Sequence, residues 1–314
     1  QTDPETGLTD GLLSRLSAQG ELPKVMYTHT PSEYWAGHGS LMHTDLTASR
    51  DLDPPEEVRI YVFAGTQHAL ATLPPVDRDA DGHRGQRNFN IIDYRALLRA
   101  ALTNMDRWVT SGEAPPPSRH PRLDDGTAVS LQGVAETFRS IPGVNLPDPM
   151  RRFTRLGFGP DPMVPTKVPA EIGKVYPNLV SAVDQDGNEL AGIPLPFVTV
   201  PLATHTGWNT RHADMGGEGQ TLSTGGASGG TLRGSTIPFP ATREEREATG
   251  DPRLSVEERY DSREHYQDLV RQAAQSLVDR GYLLAEDLEP LVSLGGQHYD
   301  LLRSGTREAQ PAGD

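Results

Sequence analysis

Cysteine is absent from this 314-residue chain. That absence excludes disulfide staples, a thiolate nucleophile and cysteine-bound zinc together. It suits an oxidising or a reducing compartment equally, so the sequence assigns no localisation. Long apolar runs are missing too. No stretch approaches the ~18 residues that cross a bilayer, and the opening QTDPETGLTDGLLSRL has neither the basic nor the apolar region of a signal peptide. Basic charge is scarce: 29 Lys and Arg stand against 43 Asp and Glu, a net −14. An acidic chain with no Lys/Arg stripe is a poor match for a phosphate backbone or an anionic membrane surface. Neither nucleic acid nor membrane is expected as a partner.

Glycine (32) and proline (27), by contrast, are abundant. They imply many turns and long loops rather than a helix bundle. No repeat of fixed period is visible. Residues 8–20 read as a short helix capped by Thr9 or Asp10 and ended by Gly20, and Lys24–Thr28 as a short strand. PSEYWAGHGSLMH, residues 31–43, reads as a strand-to-loop-to-helix junction, and VRIYVFA, 58–64, as a buried strand. Apolar spacing predicts a helix over 91–110, stopped by Gly112. Strands alternating with helices indicate a parallel sheet of βα units. Beyond it, Asp186-Gly187 marks a hairpin turn between 179–183 and 189–193, and 215–236 is a Gly/Ser/Thr loop. Helices return at 242–249, 262–280 and 285–303. His265, Leu269, Ala273 and Leu277 mark the inner face of the second, and the last residues fray.

Each of the first two strands runs into a loop bearing a chemical group: Glu33 after the first, His68 after the second. In open parallel sheets, site residues lie beyond the carboxyl ends of the strands. A carboxylate that meets an imidazole there fixes its tautomer and stabilises the imidazolium, as in a hydrolytic triad. In α/β-hydrolases the chain order is serine, then Asp/Glu, then His, and Glu33 before His68 agrees with it. The plain alternative is a loop histidine and a surface carboxylate at a helix start. A serine elbow upstream of Glu33 is not seen. The one Gly-x-Ser-x-Gly match, Gly226 to Gly230, lacks a flanking strand and helix and follows His68, so it reads as a flexible loop.

KVMYTHTPSEYW, SLMHTD, RIYVFAGTQH, LATHTGWNTR and GSTIPFPATREERE closely resemble a bacterial family of α/β-hydrolase domain-containing proteins, in its C-terminal portion. The resemblance runs from about residue 3 to 303. It implies a serine-esterase-like hydrolase, with Glu33 as triad acid and His68 as triad base. The chain departs from that pattern by lacking the nucleophile half. A missing N-terminal portion or a second chain is therefore expected to supply the serine, and these residues alone are expected to be inactive.

The remaining clusters weigh less. His29, His38 and His43 with Glu33 and Asp45 lack the spacing of a metal site, and no metal or cofactor is expected. Tyr34, Trp35 and His38 are candidates to line the substrate pocket, with core packing the alternative for the two aromatics. Asp184–Glu189 begins like a calcium loop but lacks the glutamate at position 12 and reads as a turn. The acidic run from Asp77 to Gly85 reads as a solvated loop. His205, Trp208, Asn209, Arg211 and His212 offer a wall or lid.

The reading is then an α/β fold: the C-terminal part of an α/β-hydrolase parallel sheet (1–115), a β- and loop-rich segment packed on it (116–240) and a helical tail (241–314). The alternative makes 116–308 a domain of its own. Functionally, the chain supplies the acid and base of a serine hydrolase acting on a small carboxylic ester. The competing reading is a non-catalytic chain that pairs with another polypeptide.

Overall fold

The computed structural model describes residues 1–303 apart from 21, 72, 149–151, 162–163 and 225–230. The Gly226–Gly230 match and the chain end beyond 303 thus lie outside the described residues. In chain order the elements open with α1 (Ser14–Gln19), β1 (Val25–His29), α2 (Pro31–Trp35), β2 (Val58–Ala64) and α3 (Arg95–Ser111). Then come β3 (Ala128–Ser130), α4 (Leu131–Ser140), β4 (Thr154–Gly157), β5 (Glu171–Val175), β6 (Leu179–Ser181), β7 (Ile193–Pro194), α5 (Pro196–Thr199) and β8 (Ala203–Thr206). The chain continues through β9 (Ser223–Thr224), β10 (Thr231–Leu232), β11 (Ser235–Pro238), α6 (Arg243–Thr249), α7 (Val256–Arg259), α8 (Arg263–Asp279) and α9 (Leu288–Arg303).

The central sheet is parallel, in the order β1-β2-β7. Val25 lies opposite Val58 and His29 opposite Val62, while Phe63 and Ala64 pair with Ile193 and Pro194 on the other side. β2 is the middle strand and is buried at Val58 and from Ile60 to Ala64, which is why its sequence is an almost unbroken apolar run. Its period-2 alternation feeds two cores. Tyr61 and Phe63 pack with Leu195, Phe197, Val270, Ala274 and Tyr299, joining the sheet to the C-terminal helices. Val62 packs with Tyr34, Trp35, Phe138, Val180 and Trp208 on the opposite face.

Several expected elements shift. Helix α1 starts at Ser14, without a side-chain cap, and Leu8, Leu12 and Leu16 are exposed, so no apolar face holds a longer helix. β1 lies one residue later than the expected strand. Helix α3 starts at Arg95, because Asn90 Oδ1 accepts the Ile92 N–H and Asp93 accepts that of Arg95, at 2.9 and 3.0 Å. Side chains that satisfy backbone groups in this way compete with the helix. Ile91 and Ile92 are buried in the extended lead-in, whereas Leu102 and Val109, counted in the expected stripe, are exposed.

The Asp186-Gly187 turn forms, with Gly187 at φ +82° and Val183 bridged to Glu189. Its arms then part: β6 pairs antiparallel with β3, and β7 joins β2. The 215–236 loop contains β9, β10 and the start of β11, which pairs with β8. The inner face of α8 is Tyr266, Val270, Ala274 and Leu277, a rotation from the expected one, and His265 is half-exposed.

Candidate active site

The acid is placed by the way α2 begins. Thr30 is extended (φ −112°, ψ 166°), and Pro31 has the fixed φ suited to a first helical position. Glu33 then folds back, its Oε2 accepting from the Thr30 N–H at 2.6 Å and the Thr30 hydroxyl at 2.8 Å. This is a capping arrangement, and it leaves Oε1 facing the end of β2.

There the chain turns at Gly65, φ +67°, where a Cβ would stand 2.6 Å from Val198 Cγ2. The turn delivers His68, whose Nδ1 lies 2.6 Å from Glu33 Oε1. A carboxylate at Nδ1 keeps a proton there, which makes Nε2 the basic nitrogen. The His68 side chain is 56% exposed and that of Glu33 14%. The pair is thus a shielded acid behind an accessible imidazole.

The His68 loop is held by its main chain. Ser32 Oγ accepts the His68 N–H at 3.0 Å and donates to the Gly207 carbonyl at 2.7 Å. The Tyr94 hydroxyl donates to the His68 carbonyl at 2.9 Å. Asn90 donates to the Gly65 carbonyl, Gln67 Oε1 accepts from Gly234 N, and the Thr66 hydroxyl donates to Phe63 O. Gly207 admits α2 to contact distance, since a Cβ on it would meet Pro31 Cβ at 2.4 Å and Ser32 N at 2.6 Å. Behind it Trp208 packs on Trp35 and Phe138, with ring centroids 5.3 and 5.4 Å away.

The alpha/beta hydrolase domain family matches residues 5–293 of this chain. The chain belongs to that family. No curated protein and no solved structure matches it. In an alpha/beta hydrolase domain with a parallel sheet, the loops beyond the strand ends are where side chains converge. Here those loops are the ones that carry Glu33 and His68.

The other candidate residues fall differently. Tyr34 and Trp35 are 1% and 7% exposed, so their rings pack in the core and face no solvent. The Tyr34 hydroxyl is spent on His43 Nε2 at 2.8 Å. His38 is exposed, with its ring 5.8 Å from Phe153. His205 and Asn209 are buried supports: His205 Nδ1 meets the Thr236 hydroxyl at 3.3 Å, and burial pushes its pKa down to about 3. Arg84 and Asp214 bracket His212 at the surface.

His29, His38, His43, Glu33 and Asp45 do not gather around one point; Asp45 is taken up by Thr47 and Ser49. Among the described residues the group with metal-ligand spacing is Asp79, Asp81 and His83, in the acidic loop. The Asp79 carboxylate already accepts the backbone N–H groups of Asp81 and His83 and faces Arg233. That loop is closed by its own hydrogen bonds.

Sequence reasoning passed over Ser32, Gly65, Gln67, Asn90, Gly207 and Glu189. The available signal was modest: Ser32 adjoins the candidate acid, and Gly65 and Gln67 adjoin the candidate base. Nothing in the order of residues brings Gly207 or Glu189 to the site.

Proposed function

We propose that this chain supplies the acid and base of a Ser-Glu-His triad that hydrolyses a carboxylic ester of a small molecule. The observation that supports the reading is the 2.6 Å contact between Glu33 Oε1 and His68 Nδ1, made at the ends of two adjacent parallel strands. In this reading His68 Nε2 takes the proton of the nucleophilic hydroxyl as it attacks the ester carbonyl. It then returns that proton to the departing alcohol, and a water repeats the cycle on the acyl intermediate. Glu33 holds the imidazole and stabilises its charged form. The nucleophile is a serine outside the described residues, in another part of the same polypeptide or on a second chain.

One observation favours a second reading, that of an interaction chain. Among the described residues β1 pairs only with β2, which leaves its other edge without a strand, and a groove of about 460 Å³ lined by Leu12, Leu13, Tyr27, Met42, Val58 and Ile60 lies over the β1–β2 face. The two readings merge if what covers that edge brings the serine.

A fluorophosphonate probe separates them. A preparation that holds the serine-bearing segment is expected to label and to hydrolyse p-nitrophenyl esters, and His68→Ala is expected to lower the hydrolysis by roughly 10²–10⁴-fold. Such a preparation, complete and folded but neither labelled nor active on any ester, would sink the hydrolase reading.

A further inference from the structure

Most anchors of the His68 loop are hydroxyls and side-chain amides. One is a carboxyl group. Gly65 N donates at 2.9 Å to Oε2 of Glu189, a carboxyl brought in from 124 residues away. Glu189 is fixed in turn by the tight end of its own hairpin. It bridges to Val183 across the turn, and the neighbouring Asn188 carbonyl accepts from Asp184 N at 2.8 Å. The Asn188 side chain is tied to β8, donating to Ala203 O and accepting from His205 N. The carboxyl therefore reports the position of a rigid hairpin to the first residue of the turn.

The turn leaves little slack. Gly65 sits at φ +67° against Val198, its carbonyl is held by Asn90, and the His68 N–H follows three residues later on Ser32. Withdrawal of Glu189 from water pushes its pKa up to about 8. At neutral pH the group is thus mostly uncharged and sets no second anion against Glu33.

We propose that Glu189 is a positioning residue for His68: by holding the Gly65 N–H it fixes the turn from which the imidazole is aimed at Glu33. This rests on the reading of His68 as the base. No contact of Glu189 with a reacting atom is involved.

The test reads the His68 ring by NMR with ¹⁵N-labelled histidine. Wild type is expected to show His68 in one tautomer, with a downfield Nδ1 proton shared with Glu33. Glu189→Gln keeps an acceptor oxygen and is expected to retain both features. Glu189→Leu removes the acceptor. In the folded protein it is expected to broaden or erase the Nδ1 proton signal and mix the tautomers. A merely structural role would lower the melting temperature and leave that signal intact in the folded molecules. A folded Glu189→Leu with an unchanged His68 signal overturns the proposal, as does loss of the signal in Glu189→Gln.

Should Glu189→Leu fail to fold, amide exchange in the wild type decides. The Gly65 and His68 amides are expected to open together with matching protection. Gly65 exchanging at least about tenfold faster than His68 would show that the grip on Gly65 does not hold the base. Neither readout uses ester hydrolysis, so a preparation that holds the serine-bearing segment, complete and folded yet inactive, would refute the triad and still leave this test intact.

Discussion

Gly207 lies so close to Pro31 that a methyl group on it would stand 2.4 Å from the proline Cβ. The close approach lets one hydroxyl, that of Ser32, reach both the Gly207 carbonyl and the His68 N–H. The site is thus assembled from three distant stretches of chain meeting at one side chain.

Gly207→Ala is expected to push α2 away from that contact and to destabilise the protein by about 1–3 kcal/mol, the usual cost of overpacking. A urea unfolding series would measure it. An unchanged midpoint would mean that the N-terminus of α2 yields freely, contrary to the contacts seen.

Glu33 serves both the helix start and the imidazole, and substitutions can separate the two roles. Glu33→Gln keeps an oxygen for Thr30 and is expected to leave stability within about 0.5 kcal/mol while it removes the charge beside His68. In an assembled enzyme the loss of activity is expected to be roughly 10³–10⁴-fold. Glu33→Ala removes both roles and should cost in addition about 1 kcal/mol of stability.

The pKa of Glu189 gives a pH dependence with a definite sign. The folded carboxyl keeps its proton up to about pH 8, whereas an ordinary glutamate loses it near 4.5. Between those values the folded state binds more protons, so the contribution falls as pH rises through the window and levels off above it. Glu189→Gln is expected to abolish this slope and to be more stable than wild type at pH 8, by at most about 4 kcal/mol. Parallel pH–stability curves for the two proteins would contradict the assigned burial.

His298 points the other way. It is buried against Phe197, its Nε2 has no partner among the described residues, and burial pushes its pKa down to about 4. An unfolded imidazole gains a proton as pH drops past 6.5, which the folded one resists, so this group costs stability progressively between pH 6.5 and 4. His298→Leu is expected to lower the acid-unfolding midpoint and to gain about 3 kcal/mol over wild type near pH 4. Acid titration followed by circular dichroism would check it.

What was legible in the sequence is what the chain enforces locally. The β-branched run of β2 can hardly be anything but a buried strand, and the groups following the two strands stand out because they lie just beyond the strands' carboxyl ends. Glu33 and His68 were visible for that reason. Local signals failed where neighbouring side chains compete with the helix or where distant chain decides. The spacing of Ile91 and Tyr94 is helical, yet Asn90 and Asp93 take the backbone N–H groups first. The Asp186-Gly187 turn is plain, but which sheet each arm joins depends on β3 and β2. Tyr34 and Trp35 look equally suited to a pocket and a core, and only the arrival of Trp208 and Phe138 fills the space around them. Glu189 carries no local mark at all, since its role is defined by a residue 124 positions away.

The grip on residue 68 falls on its peptide nitrogen and carbonyl, while among the described residues the ring makes a single bond, to Glu33. Trimming the imidazole leaves the other fastenings in place. His68→Ala is therefore a clean chemical control: what it removes is a proton acceptor, from a loop whose shape does not depend on it.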